Sequence, residues 1–237
     1  MSNFSKASKL AIGSAQFGMP YGIANSTGIV SQADVTKILN FANKNKINTI
    51  DTAKNYGNSE IAIGEYLKKN SNSQWNIITK ISQDQGIYEQ ITDSIEKLGV
   101  LPNVVMAHNA KLYSSKKFQF ELKQVLDQFT FEIGVSVYNE LEIEQVLNSY
   151  LIPKVIQVPM NILDTRLYRR KIISKLHQKN IEIHARSVFL QGLFYIPISD
   201  LDKRFFDAIP YLNDLHKVAK KFNLNLGVLL KCILVLP

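Results

Sequence analysis

Residues 47–80 read INTIDTAKNYGNSEIAIGEYLKKNSNSQWNIITK, and the alternation inside this stretch decides the fold. It opens on a short β-branched run, INTID (47–51). An amphipathic segment follows, NSEIAIGEYLKK (58–69), with Asn58 placed as a helix cap. It closes on a second apolar run, WNIITK (75–80). Both strand-like runs are rich in apolar and β-branched residues, and each ends on a charged side chain, Asp51 and Lys80. Strand, helix, strand of this kind reads as one unit of a parallel sheet covered by helices.

The unit recurs on both sides. Further apolar runs are KLAIGSA (9–15), NVVMAH (103–108), FEIGVSV (131–137), KVIQVP (154–159) and IEIHARS (181–187). Helical patterns lie at SQADVTKILNFANK (31–44) and NELEIEQVLNSY (139–150), with Ser31 and Asn139 as caps. The polar residues near the strand ends, Asp51, Lys80, His108, Ser136, Gln157 and Arg186, are spaced by 29, 28, 28, 21 and 29 residues. One strand–helix unit takes about 30 residues. In a closed parallel barrel the C-terminal ends of all strands share one face, where substrates bind. The spacing therefore predicts an α/β protein with a (β/α)8 barrel as a single domain over 1–237, and predicts that these six side chains meet.

Composition bounds the function. The chain has 237 residues, 46% hydrophobic and 20% charged, which is ordinary globular composition. Cys232 is the one cysteine, so an intramolecular disulfide and any four-cysteine zinc site are excluded, and a reducing cytoplasm is expected. Cys232 itself reads as a buried small hydrophobe. No run reaches the ~20 apolar residues of a membrane span, and residues 1–10 lack a secretory h-region. The net charge of +8 comes from 23 Lys and 5 Arg scattered along the chain, which reads as a Lys-rich surface rather than a nucleic-acid footprint. Glycine-rich nucleotide loops, the G-x-S-x-G elbow and the HExxH metal motif are all missing from the sequence.

The segment DTAKNYGNSE (51–60) carries the chemistry. It sets Asp51 at a strand end and Tyr56 in the next loop, while Lys80 and His108 arrive from the following strands. A phenol is a poor proton donor at its ordinary pKa of about 10, and a neighbouring ammonium favours its phenolate. Tyr, Lys, Asp and His brought together are suited to protonating an oxygen as charge develops on it, as in carbonyl reduction. Taken alone, Asp51 and Lys80 also read as a structural ion pair.

With these residues in hand, the chain resembles the aldo-keto reductases, from about Leu10 to Leu236. The family's D-T-A-x-x-Y-G-x-S-E segment stands intact at Asp51–Glu60, its lysine matches Lys80 in NIITK, and its histidine matches His108 in VMAHN. The resemblance implies a (β/α)8 fold, a nicotinamide cofactor (usually NADPH) and a carbonyl substrate, an aldehyde or ketone, with a sugar-derived one among the candidates. It implies catalytic roles for Asp51, Tyr56, Lys80 and His108. It implies cofactor contacts at Gln16, Ser136, Gln157, Arg186, Ser187 and Gln191. Many members carry an asparagine where Val137 stands, and an aromatic ring where Arg186 stands. The wording of the opening and of strand 7 is most like bacterial members.

In the family a further strand and a phosphate-binding segment follow the region that ends here at Pro237. The expectation is a barrel shortened after strand 7 and its helix, with open edges on strands 1 and 7. A shortened copy of an active reductase and a naturally short, non-catalytic relative that associates with itself or a partner through that edge both fit. A barrel lyase using Lys80 as a Schiff base is a third reading.

Overall fold

The computed structural model describes residues 9–71, 73–82 and 86–231. In chain order the elements are β1 (Ile12–Gly13), α1 (Ala15–Gly18), α2 (Gln32–Lys44), β2 (Thr49–Asp51), α3 (Ser59–Lys69), β3 (Asn76–Ile81), α4 (Ile87–Leu98), β4 (Val104–Ala107), α5 (Ala110–Tyr113) and α6 (Lys116–Leu126). They continue with β5 (Glu132–Ser136), α7 (Glu140–Leu147), β6 (Val155–Pro159), α8 (Arg166–Arg169), α9 (Ile172–Gln178), β7 (Glu182–Arg186), three 3-10 turns, α10 (Ile209–Lys221) and α11 (Leu226–Lys231). The seven strands form one parallel sheet in sequence order. Short strands joined by helical crossovers curl such a sheet toward a barrel. Among the described residues β1 pairs with β2 and β7 with β6, and no strand joins β1 to β7.

Every strand expected from the sequence is present, trimmed by one to three residues at most ends. Two of the three caps act as expected. Ser31 Oγ accepts the Asp34 amide at 3.2 Å, and Asn139 Oδ1 accepts the Glu142 amide at 3.0 Å. Asn58 precedes α3 but its side chain makes no capping bond; its own N–H reaches the Gly18 carbonyl instead. The helix expected over 139–150 ends at Leu147 rather than Tyr150.

Strand residues alternate between two apolar layers. Ile81, Val105, Ile133, Val135, Ile156 and Val158 pack outward against Ile91, Phe118, Leu122, Ile143 and Leu176 of the helices. Ile78, Val104, Met106 and Val155 form a small inner cluster. The central strands are buried on both faces, whereas every residue of β7 is only half-buried. After β7 a separate apolar cluster, including Phe194, Leu212, Leu215 and Leu230, packs the C-terminal helices together. Cys232 lies outside the described residues.

Candidate active site

The strand-end residues share one phase of the alternation. Asp51 is in step with Thr49, Lys80 with Ile78, His108 with Val104 and Met106, Gln157 with Val155, and Arg186 with Glu182 and His184. All therefore face the interior, where a cleft of about 1550 Å3 runs from Tyr56 and Lys80 at one end to Asn76 and Glu132 at the other. The ten residues singled out in the sequence all line it.

Lys80 is 2% exposed and its Nζ donates to Asp51 Oδ1 at 2.5 Å and to the Thr52 carbonyl at 2.9 Å. Gln157 Nε2 donates to Asp51 Oδ2 at 2.7 Å. Both carboxylate oxygens are thus engaged, one from β3 and one from β6. Lys80 Nζ also lies 5.2 Å from the centroid of the Tyr56 ring. A charge-assisted bond to a carboxylate keeps a buried ammonium protonated and aimed.

The rest of DTAKNYGNSE holds Tyr56 in place. Ser59 Oγ lies 2.9 Å from the Ser14 carbonyl, 2.8 Å from Ser14 Oγ and 3.0 Å from Thr52 Oγ1, joining α3 to the loops after β1 and β2. Glu60, 2% exposed, accepts the Thr79 hydroxyl at 2.6 Å. Gly57 adopts φ +55°, and a Cβ there would sit 2.3 Å from the Gly18 carbonyl oxygen. A Cβ on Gly18 would sit 1.9 Å from the Tyr56 carbonyl oxygen. Only two glycines let the tyrosine loop lie directly on α1.

His108 follows β4, and its Nδ1 is buried with no partner among the described residues. Burial above all, then the charges of Lys80 and Arg186, holds its pKa below the ordinary 6.5, against a weaker opposite pull from Asp51. The ring is therefore neutral at pH 7.

On the far wall, Arg186 Nε donates to Ser136 Oγ at 3.2 Å, and the guanidinium carbon stacks 4.2 Å from the Tyr138 ring centroid. Arg186 has no carboxylate partner among the described residues. Val137 is buried in the outer layer, pointing away from Ser136, and offers the cleft only its carbonyl. Gln16 Nε2 donates to the Tyr21 carbonyl at 2.7 Å, and the Ala24 amide donates to the Gln191 carbonyl at 3.3 Å, which closes the loop after α1 onto the segment after β7. That segment is bent through three non-glycine residues of positive φ, Ser187 (61°), Leu190 (45°) and Gln191 (57°). Backbone of this kind persists where surroundings enforce it and clusters at ligand sites.

Two cleft residues escaped the sequence reading. Tyr138 lies two residues beyond Ser136, so strand periodicity already put both on one face. Tyr21, whose phenol pKa is raised by burial first and by Tyr56 next, sits in an irregular loop with no periodic signal. Further along β7, His184 Nε2 lies 2.8 Å from Glu182 Oε1. Trp75 packs edge-to-face on Tyr66 at 6.1 Å. Among the described residues no cluster of His, Cys, Asp or Glu could hold a metal, and no helix is long and apolar enough to cross a membrane.

A curled parallel sheet with a polar cleft at its strand ends defines a barrel-type enzyme scaffold. The profile of the Aldo/keto reductase family matches residues 9–224, and the chain belongs to that family. Its members are oxidoreductases that use nicotinamide cofactors. Among solved structures, an aldo-keto reductase from Klebsiella pneumoniae in complex with NADPH is 12% identical, with 94% of this chain and 75% of that one covered at a TM-score of 0.68. A thermostable aldo-keto reductase in complex with the inhibitor epalrestat is 18% identical over 95% and 80%, at 0.67. One from Brucella melitensis is 17% identical over 94% and 77%, at 0.61. At these identities the likeness speaks for the fold. A search of curated proteins finds no match.

Proposed function

We propose that the chain is an NADPH-dependent reductase of an aldehyde or ketone, with Tyr56 as the proton donor. The observation that carries this reading is the chain of contacts from Asp51 through Lys80 to the Tyr56 ring, beside a neutral His108 at the end of a large cleft. Tyr56 gives its proton to the carbonyl oxygen, and the Lys80 ammonium over the ring stabilises the negative charge left on the phenolate. Asp51 holds that ammonium in place. His108, being neutral, orients the carbonyl without adding a second charge.

A nicotinamide fits the residues present. Ser136 and Gln157 offer a hydroxyl and an amide for a carboxamide group, Arg186 offers a flat face, and Gln16, Ser187 and Gln191 line the same wall. When bound, it supplies the hydride for the carbonyl carbon, so the product is the alcohol. The choice of NADPH over NADH rests on the family resemblance, and a cytoplasmic location on the single cysteine. Calorimetric titration with NADPH tests the cofactor, and Tyr56→Phe tests the acid. Loss of ~100-fold or more in turnover with folding retained is expected for a removed general acid; turnover that survives removes Tyr56 from that role.

A second reading follows from the edges of β1 and β7, each paired on one side only among the described residues. A folded chain that fails to bind NADPH and associates as its concentration rises would favour a non-catalytic barrel that acts through those edges.

A further inference from the structure

At the Tyr56 end of the cleft one cation lacks an acidic partner, while Glu132 and Glu182 line the cleft from the starts of β5 and β7, and Lys9 from before β1. Lys80 is matched by Asp51, whose second oxygen is taken by Gln157. His108 is neutral at pH 7. Arg186 remains, half-buried, with no carboxylate at ion-pair distance among the described residues. It is nonetheless held firmly. Tyr138 supports one face of the guanidinium, and Ser136 accepts from Nε. The two terminal nitrogens make only long contacts, each 3.4 Å, to Ser187 Oγ and the Val137 carbonyl. Strong bonds from a guanidinium to an anion run ~2.7–2.9 Å, so this fork has capacity left.

The position of the charge matters as much as its lack of a partner. It acts on both His108 and Tyr21, so its field reaches groups on more than one wall of the cleft that also holds Tyr56. A planar fork with fixed orientation matches the paired oxygens of a carboxylate or phosphate.

We propose that Arg186 binds an anionic group of the substrate, so that the preferred carbonyl compounds carry a carboxylate or a phosphate. This rests on the reductase reading. A cofactor phosphate has the same chemistry, and the experiment separates the two sources.

Wild type, Arg186→Met and Arg186→Lys are compared, with folding checked by thermal melts. Rates are measured for 4-oxobutanoate against butanal, and for glyceraldehyde 3-phosphate against glyceraldehyde. NADPH affinity is measured by calorimetry. The preference in kcat/KM for the anionic member of at least one pair should fall about 10–100-fold in Arg186→Met, the range for loss of a charged hydrogen-bond pair. Arg186→Lys, which keeps the charge without the fork, should fall between. Both preferences unchanged overturn the proposal. A fall of that size in NADPH affinity, with both preferences unchanged, assigns the anion to the cofactor and overturns it too. If the wild type reduces none of these carbonyls, the reductase reading fails, and succinate binding to the chain then decides Arg186. Binding weakened about tenfold in Arg186→Met supports the anion site; equal binding, or none in wild type, overturns it.

Discussion

Gln157 Nε2 and Asp51 Oδ2 meet at 2.7 Å although 106 residues separate them in sequence. Asp51 ends β2 and Gln157 lies on β6, so this bond crosses the interior of the curled sheet. It ties its early strands to its late ones at the level of Lys80.

Replacing Gln157 by Leu leaves Asp51 Oδ2 without its donor in a part-buried position. The expected cost is about 1–3 kcal/mol, the range for an unsatisfied buried polar atom. Urea unfolding measures it. A midpoint equal to wild type would mean that water reaches Asp51 and takes over.

The Asp51–Lys80 pair should respond unequally to loss of each partner. Asp51→Asn leaves an ammonium that is 2% exposed without its carboxylate, facing the Thr52 carbonyl, and should cost ~3–5 kcal/mol. Lys80→Met fills the same volume, and Asp51, at 16% exposure, retains Gln157 and some water. It should cost clearly less. Chemical denaturation of both variants checks the order, and the reverse order would show that the cleft rehydrates Lys80.

Gly18→Ala should move the tyrosine loop. The added methyl would lie 1.9 Å from the Tyr56 carbonyl oxygen, which is backbone and cannot rotate aside. Overpacking of this kind costs about 1–3 kcal/mol. The displaced Tyr56 should also lose its station over Lys80. Turnover measured under conditions where the variant is fully folded separates the two effects, and unchanged turnover would disconnect this contact from Tyr56 placement.

His108 gives stability a pH dependence of known sign. Its pKa in the fold lies below the unfolded value of 6.5, so below that pH the unfolded chain takes up a proton that the folded chain does not. The His108 contribution is present above pH ~6.5 and is lost as pH falls toward the folded pKa. Comparing denaturation midpoints at about pH 7.5 and about pH 5, His108→Gln should show a smaller drop than wild type. An equal drop would place the acid sensitivity elsewhere.

Much of this is legible in the chain. The strands stand out because most are near-continuous apolar or β-branched runs, as buried parallel strands require, though IEIHARS (181–187) alternates and forms the half-buried β7. The meeting of Asp51, Lys80, His108, Ser136, Gln157 and Arg186 follows from unit spacing. What spacing cannot supply is the partner of each side chain. Gln157 reads from sequence as a cofactor contact, and nothing in that reading foretells that its amide nitrogen also donates to Asp51. Arg186 reads from sequence as a cofactor contact, and its stacking on Tyr138 is not given by the unit spacing. Such pairings depend on strand stagger across the interior, which is a property of the whole curl. The expected cap at Asn58 fails for a local reason, since its backbone at φ −87°, ψ 14° is not the extended conformation from which a capping side chain reaches the first turn.

The half-buried β7 gives the cleft an uneven frame. Among the described residues Arg186, its last residue, is carried by a strand paired with one neighbour, while Lys80 and Asp51 stand on strands paired on both sides. Any ligand that bridges the two walls acts as a brace for the looser one. Binding and heat resistance then become linked, because what binds only the folded cleft stabilises it by an amount that grows with the logarithm of free ligand concentration over Kd. Thermal shift is thus a direct way to search for this protein's ligands, with no need to know the reaction beforehand.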